Sequence, residues 1–285
     1  MYTQLITASE LQALQASATP TVVFDCSSDL AQPGAADAQF ADVHIAGAQQ
    51  AHLERDLSTH DAALAVNGGR HPLPQREVVA AWLGRMGVDN ATQVVVYDRN
   101  GSSYCVRLWW MLKWLGHDAV AVLDGGLKAW QAAGGATEAG PARTPQARNL
   151  ALRDPLRQLV STDTVLQRLE QPGQTVVDAR ATPRYRGDVE PLDPVAGHIP
   201  GALNRPYTEN FTPEGHYKRP EQLRQEWLAL LGSRDARTVV HQCGSGVTAT
   251  PNLLAMELAG LGPTALYAGS WSEWCRTPGL PCAKG

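Results

Sequence analysis

The chain of 285 residues has no apolar run long enough to cross a bilayer, so a membrane span is not expected. Its opening, MYTQLITASELQALQ, lacks the basic stretch, apolar stretch and small-residue cleavage site of a secretory signal. A cytoplasmic location is therefore expected. There is also no cluster of lysine or arginine: 24 basic residues are scattered among 28 acidic ones, for a formal net charge of -4. Such a surface offers no positive field to gather phosphate backbones, and neither nucleic acid nor membrane is an expected partner. The five cysteines, Cys26, Cys105, Cys243, Cys275 and Cys282, are odd in number, scattered, and without a Cys-x-x-Cys pair. That excludes a disulfide framework and gives no zinc-binding pattern. Each cysteine is then judged as a thiol. A free cysteine is usually a small buried hydrophobe, and a reactive role needs a specific signal.

What the chain does have is an internal repeat. The length favours two domains of ordinary size, and four stretches recur in the same order when the chain is slid against itself. FDCSSDL from Phe24 pairs with VDARATP from Val177, and VHIAGA ending at Ala48 pairs with GHIPGA ending at Ala202. WLGRMGVDNATQVVVYD, Trp82 to Asp98, pairs without a gap with WLALLGSRDARTVVHQC, Trp227 to Cys243. LDGGLKAW, Leu123 to Trp130, pairs with YAGSWSEW, Tyr267 to Trp274. The reading is two copies of one fold: residues 1–140, a linker over 141–158 rich in proline, alanine and charge, and residues 159–285. Tryptophans at matched positions, Trp82 with Trp227 and Trp130 with Trp274, speak for core packing.

Within a copy, short β-branched runs alternate with helical spacing. Thr175 to Asp178 and Thr238 to Gln242 read as strands, while Leu223, Trp227, Leu228 and Leu231 mark one face of a helix. Such alternation predicts an α/β fold, with a mainly parallel sheet covered by helices on both faces in each domain. In sheets of this kind ligands bind at the carboxyl ends of strands. That rule selects Asp98 after VVVY in the first copy and Cys243 after VVHQ in the second, an acid where the other offers a thiol.

The thiol is followed by CGSGVTA, Cys243 to Ala249, and then by a helix beginning near Asn252. Gly244, Gly246 and the small neighbours Ser245, Val247 and Thr248 let the backbone curl, so that amide N–H groups can face the sulfur. Those amides and the helix N-terminus favour a thiolate, the nucleophilic form. A cysteine loop between strand and helix also suits a phosphatase. That chemistry needs an arginine six positions on, where this chain has Ala249.

CGSGVTA resembles the active-site loop of the mercaptopyruvate sulfurtransferases, and GHIPGA, DGG-x-x-x-W and GSW-x-x-W resemble the rhodanese superfamily. The resemblance covers essentially the whole chain and implies two tandem rhodanese-like domains, the first lacking the cysteine. It implies a ping-pong cycle that needs no metal or other cofactor. Cys243 takes sulfane sulfur from a small donor, 3-mercaptopyruvate or thiosulfate, and passes the persulfide sulfur to a thiol such as thioredoxin, or to cyanide. In the family an arginine at the Arg184 position contacts the anionic donor through its planar fork, with Arg186 a second candidate. Ser245 falls where the family places a serine that helps proton transfer with a histidine and an acid from the first domain. His71 in NGGRHPLP is the matching histidine, and Glu54 in HLERD, or Asp56 in its stead, the matching acid. Leu192 stands where mercaptopyruvate enzymes commonly have a further arginine, so a thiosulfate-specific enzyme remains an alternative. So does a non-catalytic interaction or regulatory module, against which the intact Cys243 argues. Asp178, Arg180 and His198 are read as residues that fix loops.

Overall fold

Runs such as TVVFD, QVVVY, TVVD and VVHQ carry β-branched side chains at nearly every position, the pattern of strands buried on both faces. The computed structural model describes residues 1–285 except Leu30, Ala31 and Pro33, so the end of the FDCSSDL repeat lies outside the described residues. The first copy contains β1 (Leu5–Ile6), α1 (Ala8–Gln15), β2 (Thr21–Asp25), α2 (Ala35–Asp42), β3 (His44–Ile45) and β4 (Gln49–Gln50). It continues with α3 (Arg76–Arg85), β5 (Gln93–Tyr97), α4 (Cys105–Trp114), β6 (Val120–Leu123), α5 (Gly126–Ala132) and β7 (Thr137–Glu138). The second contains β8 (Gln158–Leu159), α6 (Thr162–Gln167), β9 (Thr175–Asp178), α7 (Thr182–Arg186) and β10 (Leu203–Asn204). It ends with α8 (Pro220–Leu231), β11 (Val239–Gln242), α9 (Thr250–Leu258), β12 (Ala265–Leu266) and α10 (Ser270–Trp274). Among the described residues no helix is long and apolar enough to cross a membrane.

Both main sheets are parallel. The first runs β1-β6-β5-β2-β4 and the second β10-β9-β11-β12-β8. Read from β8, the second sheet has the strand order of the first, as duplication requires. The central strand is β5 in one and β11 in the other, with Asp25 opposite Tyr97 and Asp178 opposite Gln242. The chain therefore leaves the sheet at the same place in each copy, at Asp98 and at Cys243.

The compact units are not a single cut of the chain. One contains Met1–Thr59, Pro74–Leu156 and Pro213–Tyr217, and the other His60–Leu73, Arg157–Thr212 and Lys218–Gly285. The stretch 60–73, which carries NGGRHPLP, thus packs with the unit that holds Cys243. The first core gathers Ile6, Leu11, Val95, Tyr97, Leu123 and Trp130, and the second Val160, Val176, Ile199, Val240, Trp271 and Trp274. Trp130 and Trp274, matched in the repeat, fill equivalent cores, and Trp82 and Trp227 are buried as well.

One core group departs from the apolar pattern. His241 on β11 is fully buried, edge-on to the Trp227 ring at 5.5 Å, and neither ring nitrogen has a hydrogen-bond partner among the described residues. Burial, reinforced by the Arg205 charge, lowers its pKa to about 3. The folded chain therefore refuses a proton that the unfolded chain accepts below about pH 6.5. Stability falls as pH drops from there toward 3, with a slope approaching about 1.4 kcal/mol per pH unit for one proton. His241→Leu is expected to flatten that part of the profile, as read from urea unfolding between pH 7.5 and 4.5.

Candidate active site

The loops leaving β5 and β11 face one physical problem: successive N–H groups that the sheet no longer serves. In the first unit the Asp98 carboxylate takes four of them. Its Oδ1 accepts from Asn100 and Ser102 and its Oδ2 from Tyr104 and Cys105, each at 2.9 Å. The cradle is filled by the protein's own anion. Cys26 and Cys105 lie buried nearby, and burial, with Asp98 adding to it at both and Asp25 at Cys26, pushes both thiols well above the ordinary range. They are held protonated.

In the second unit a thiol stands at the equivalent place. Cys243 is buried, its N–H donates to Ser270 Oγ at 3.1 Å, and its carbonyl accepts from Trp271 N–H at 3.0 Å. Among the described residues, the N–H groups of Gly244, Ser245, Val247, Thr248 and Ala249 find no backbone or side-chain acceptor. Gly246 is obligatory for this path: its φ is +75°, and a Cβ there would lie 2.2 Å from the Ala268 carbonyl oxygen. The loop ends where Thr250 Oγ1 donates to the Val247 carbonyl at 2.8 Å and α9 begins, two residues before the expected Asn252.

The sequence-predicted residues fall as follows. Ser245 and His71, 174 positions apart, meet through Oγ and Nδ1 at 2.7 Å, and both are buried. Arg184 lies on α7, which has Pro183 in its first turn, and its Nη1 is 3.5 Å from where a Gly244 Cβ would stand. Arg186 ends the same helix exposed, about 200° around the axis from Arg184, and is not among the groups closing on Gly244. Gly244, Gly246, Val247 and Thr248 form the loop itself. Glu54 belongs to the first compact unit, after β4, where its N–H donates to His52 Nδ1 at 3.1 Å. Asp56 caps the same turn, its Oδ2 accepting from His52 N–H at 2.8 Å, and burial raises its carboxyl pKa.

Arg70 went unnoticed in the sequence. Its Nη2 lies 2.8 Å from the position of a Gly244 Cβ, nearer than Arg184, so two guanidinium groups converge beside the sulfur loop. The available signal was its place immediately before His71. Each guanidinium has a carboxylate partner: Arg70 pairs with Asp193, and Arg184 with Glu190 at 2.6 Å. Burial opposes ionisation of Glu190, but the bonds from Arg184 and from the Leu192 N–H outweigh it and lower its pKa. Asp178 and Arg180 pair at 2.6 Å, and Arg180 also donates to the Gly197 carbonyl at 2.7 Å. His198 Nδ1 bonds the Tyr185 carbonyl at 2.8 Å while its ring stacks on Tyr185. Among the described residues no group of three or more metal-ligating side chains is assembled.

Ser270 shows what is spent to fix the thiol. It is a non-glycine residue at φ +54°, fully buried, with its hydroxyl accepting from Cys243 N–H and donating to the Tyr267 carbonyl at 3.0 Å. The matched residue of the first copy is Gly126, at φ +56° without strain. Ser270→Ala keeps the strained backbone and loses both hydrogen bonds, whereas Ser270→Gly loses the bonds and sheds the strain. The alanine variant is expected to be the less stable of the two by about 1 kcal/mol in urea unfolding.

The profile of the rhodanese-like domain matches this chain twice, over residues 7–133 and 161–277. A Pseudomonas aeruginosa protein named "Probable 3-mercaptopyruvate sulfurtransferase" is 44% identical over 283 residues, covering 99% of this chain and 98% of its own. A Mycobacterium tuberculosis protein named as a thiosulfate sulfurtransferase is 38% identical over 283 residues, covering 99% of this chain and 97% of its own. The solved structure of SseA from Escherichia coli, described as a 3-mercaptopyruvate enzyme of the rhodanese fold, matches with a TM-score of 0.78 and 30% identity. It covers 95% of this chain and 100% of that one. The likeness spans both copies: the chain belongs to the rhodanese family, as a tandem-domain sulfurtransferase.

Proposed function

We propose that this protein transfers the sulfur of 3-mercaptopyruvate, through a persulfide on Cys243, to a thiol or to cyanide. The observation that carries the reading is the Ser245–His71 hydrogen bond of 2.7 Å, two residues from the thiol, on a loop flanked by Arg70 and Arg184. The two guanidinium groups hold the donor carboxylate. The Cys243 thiolate attacks the donor sulfur; the new S–S bond forms as the C–S bond breaks, and its electron pair moves to carbon as the enolate of pyruvate. An enolate is a strong base and a poor leaving group until protonated. Ser245 delivers a proton that His71 replaces, and pyruvate departs. The loop N–H groups take the charge on the sulfur before and after transfer. An acceptor thiolate, on a small molecule or on a protein such as thioredoxin, or cyanide, then attacks the outer sulfur. The S–S electron pair returns to Cys243. Arg186 and Glu54 enter from the family resemblance, Arg186 as a further donor contact and Glu54 as the acid supporting His71. A reducing cytoplasm suits a chain whose five cysteines are all free thiols.

The same chemistry separates the two donors. Thiosulfate releases sulfite, a stable anion that needs no proton, so the serine–histidine pair is useful only when carbon must leave. The specificity constant is expected to be higher for 3-mercaptopyruvate than for thiosulfate, and a large thiosulfate advantage would overturn the donor assignment. Cys243→Ser should abolish turnover with both donors, together with the mass increment of one sulfur atom seen after donor treatment. His71→Gln should lower kcat for 3-mercaptopyruvate by about a hundredfold, within the range for positioned acid–base groups, and that for thiosulfate far less. Equal losses on both donors would remove the proton-transfer role.

A further inference from the structure

Asp193 follows Leu192 in the loop between α7 and β10, and its side chain has no exposed surface. A carboxylate sealed from water is costly unless cations surround it. Three do so. Oδ1 pairs with Nη1 of Arg70 and, at 2.9 Å, with Nη1 of Arg276, while Oδ2 lies 3.6 Å from Nη2 of Arg184. These contacts are not equivalent. Arg184 is already gripped by Glu190, whose oxygens take its Nη2 at 2.6 Å and its Nε at 3.3 Å. Arg276 also bonds the Ser272 carbonyl at 2.9 Å. Arg70 is tethered through its backbone, N–H to Ser272 Oγ at 3.0 Å, but Asp193 is the one carboxylate paired with its guanidinium among the described residues. With Nη1 occupied by Asp193, the planar fork leaves Nη2 aimed at the Gly244 side, where a Cβ would come within 2.8 Å.

We propose that Asp193 is a positioning residue that pins the Arg70 guanidinium beside the Cys243 loop and thereby sets the affinity for the anionic sulfur donor. This rests on the reading of Arg70 and Arg184 as the clamp on the donor anion. It supplies a reason why a chain with Leu192 in place of a further arginine keeps a two-guanidinium site. The second cation comes from the segment before His71, and the acid beside Leu192 holds it.

Two physical effects of removing the Asp193 charge oppose each other. A carboxylate next to an anion site repels the anion, so a pure field effect makes Asp193→Asn bind the donor more tightly. A positioning role makes it bind more weakly, because an unpinned arginine spreads over its rotamers and must be ordered again on each binding event. Initial rates with 3-mercaptopyruvate at fixed acceptor, on the full chain, separate them. The expected result for Asp193→Asn is a rise in donor KM of about tenfold, the scale of one charge-assisted contact, with kcat changed by less than about twofold and acceptor KM unmoved. Arg70→Ala should raise donor KM at least as much, and the double variant should match Arg70→Ala alone. Asp193→Glu keeps the charge but shifts it by a methylene, and should also raise KM; it serves if the asparagine variant does not fold. A donor KM that falls or stays unchanged in Asp193→Asn, or effects that add in the double variant, would overturn the proposal. If wild type does not turn over 3-mercaptopyruvate, or Arg70→Ala leaves its KM unaltered, the donor-clamp reading itself fails. If those controls behave and only the Asp193 variants resemble wild type, the failure is confined to Asp193.

Discussion

A chain leaving the carboxyl end of a central parallel strand must find acceptors for N–H groups that no neighbouring strand serves, and both halves of this molecule are organised around that need. In the first half the solution is local and complete: Asp98 turns back and accepts four amides. In the second half the same step of the repeat carries Cys243, and in the loop after it the N–H groups of Gly244, Ser245, Val247, Thr248 and Ala249 have no acceptor among the described residues. One copy closes its loop on its own carboxylate and the other does not. The remaining features follow from holding that second loop still, with Gly246 threading past Ala268 and Ser270 kept in a left-handed conformation to tie down the Cys243 amide.

Positive charge beside a buried thiol raises a second requirement. Four guanidinium groups, Arg70, Arg180, Arg184 and Arg276, gather in this unit, and three carboxylates, Asp178, Glu190 and Asp193, answer them. The pairing spares these guanidinium groups the self-repulsion of an uncompensated cluster. The pairing also selects geometry. Glu190 fixes Arg184 through a two-point fork, and the burial of the Glu190 carboxylate strengthens the contact.

Much of this was legible in the amino-acid order. The repeat announced two α/β copies, because periodic β-branched runs and matched tryptophans report packing that every copy must reproduce. Cys243 stood out because strand, loop composition and repeat position agree there. The pairing of Ser245 with His71 was reached through resemblance, since 174 positions of separation leave no spacing rule to read. Arg184 was read as the donor contact with Arg186 second to it, and the turn of α7 gives the two different directions. Arg70 stayed hidden for a related reason: an arginine in a glycine-rich loop reads as solvated until its packing partner is known, and that partner, Asp193, lies more than a hundred residues away. Neighbourhood to His71 was the signal that could have revealed it.

The membership of residues 60–73 in the unit that carries the thiol gives the duplication an asymmetric history. A fragment beginning at the linker would retain Cys243, Ser245 and Arg184 yet be born without the imidazole and without one of its two arginines. The first half of the chain thus contributes a strip of backbone to the compact unit formed mainly by the second half, so a gene split at the linker would part that strip from the unit it packs with.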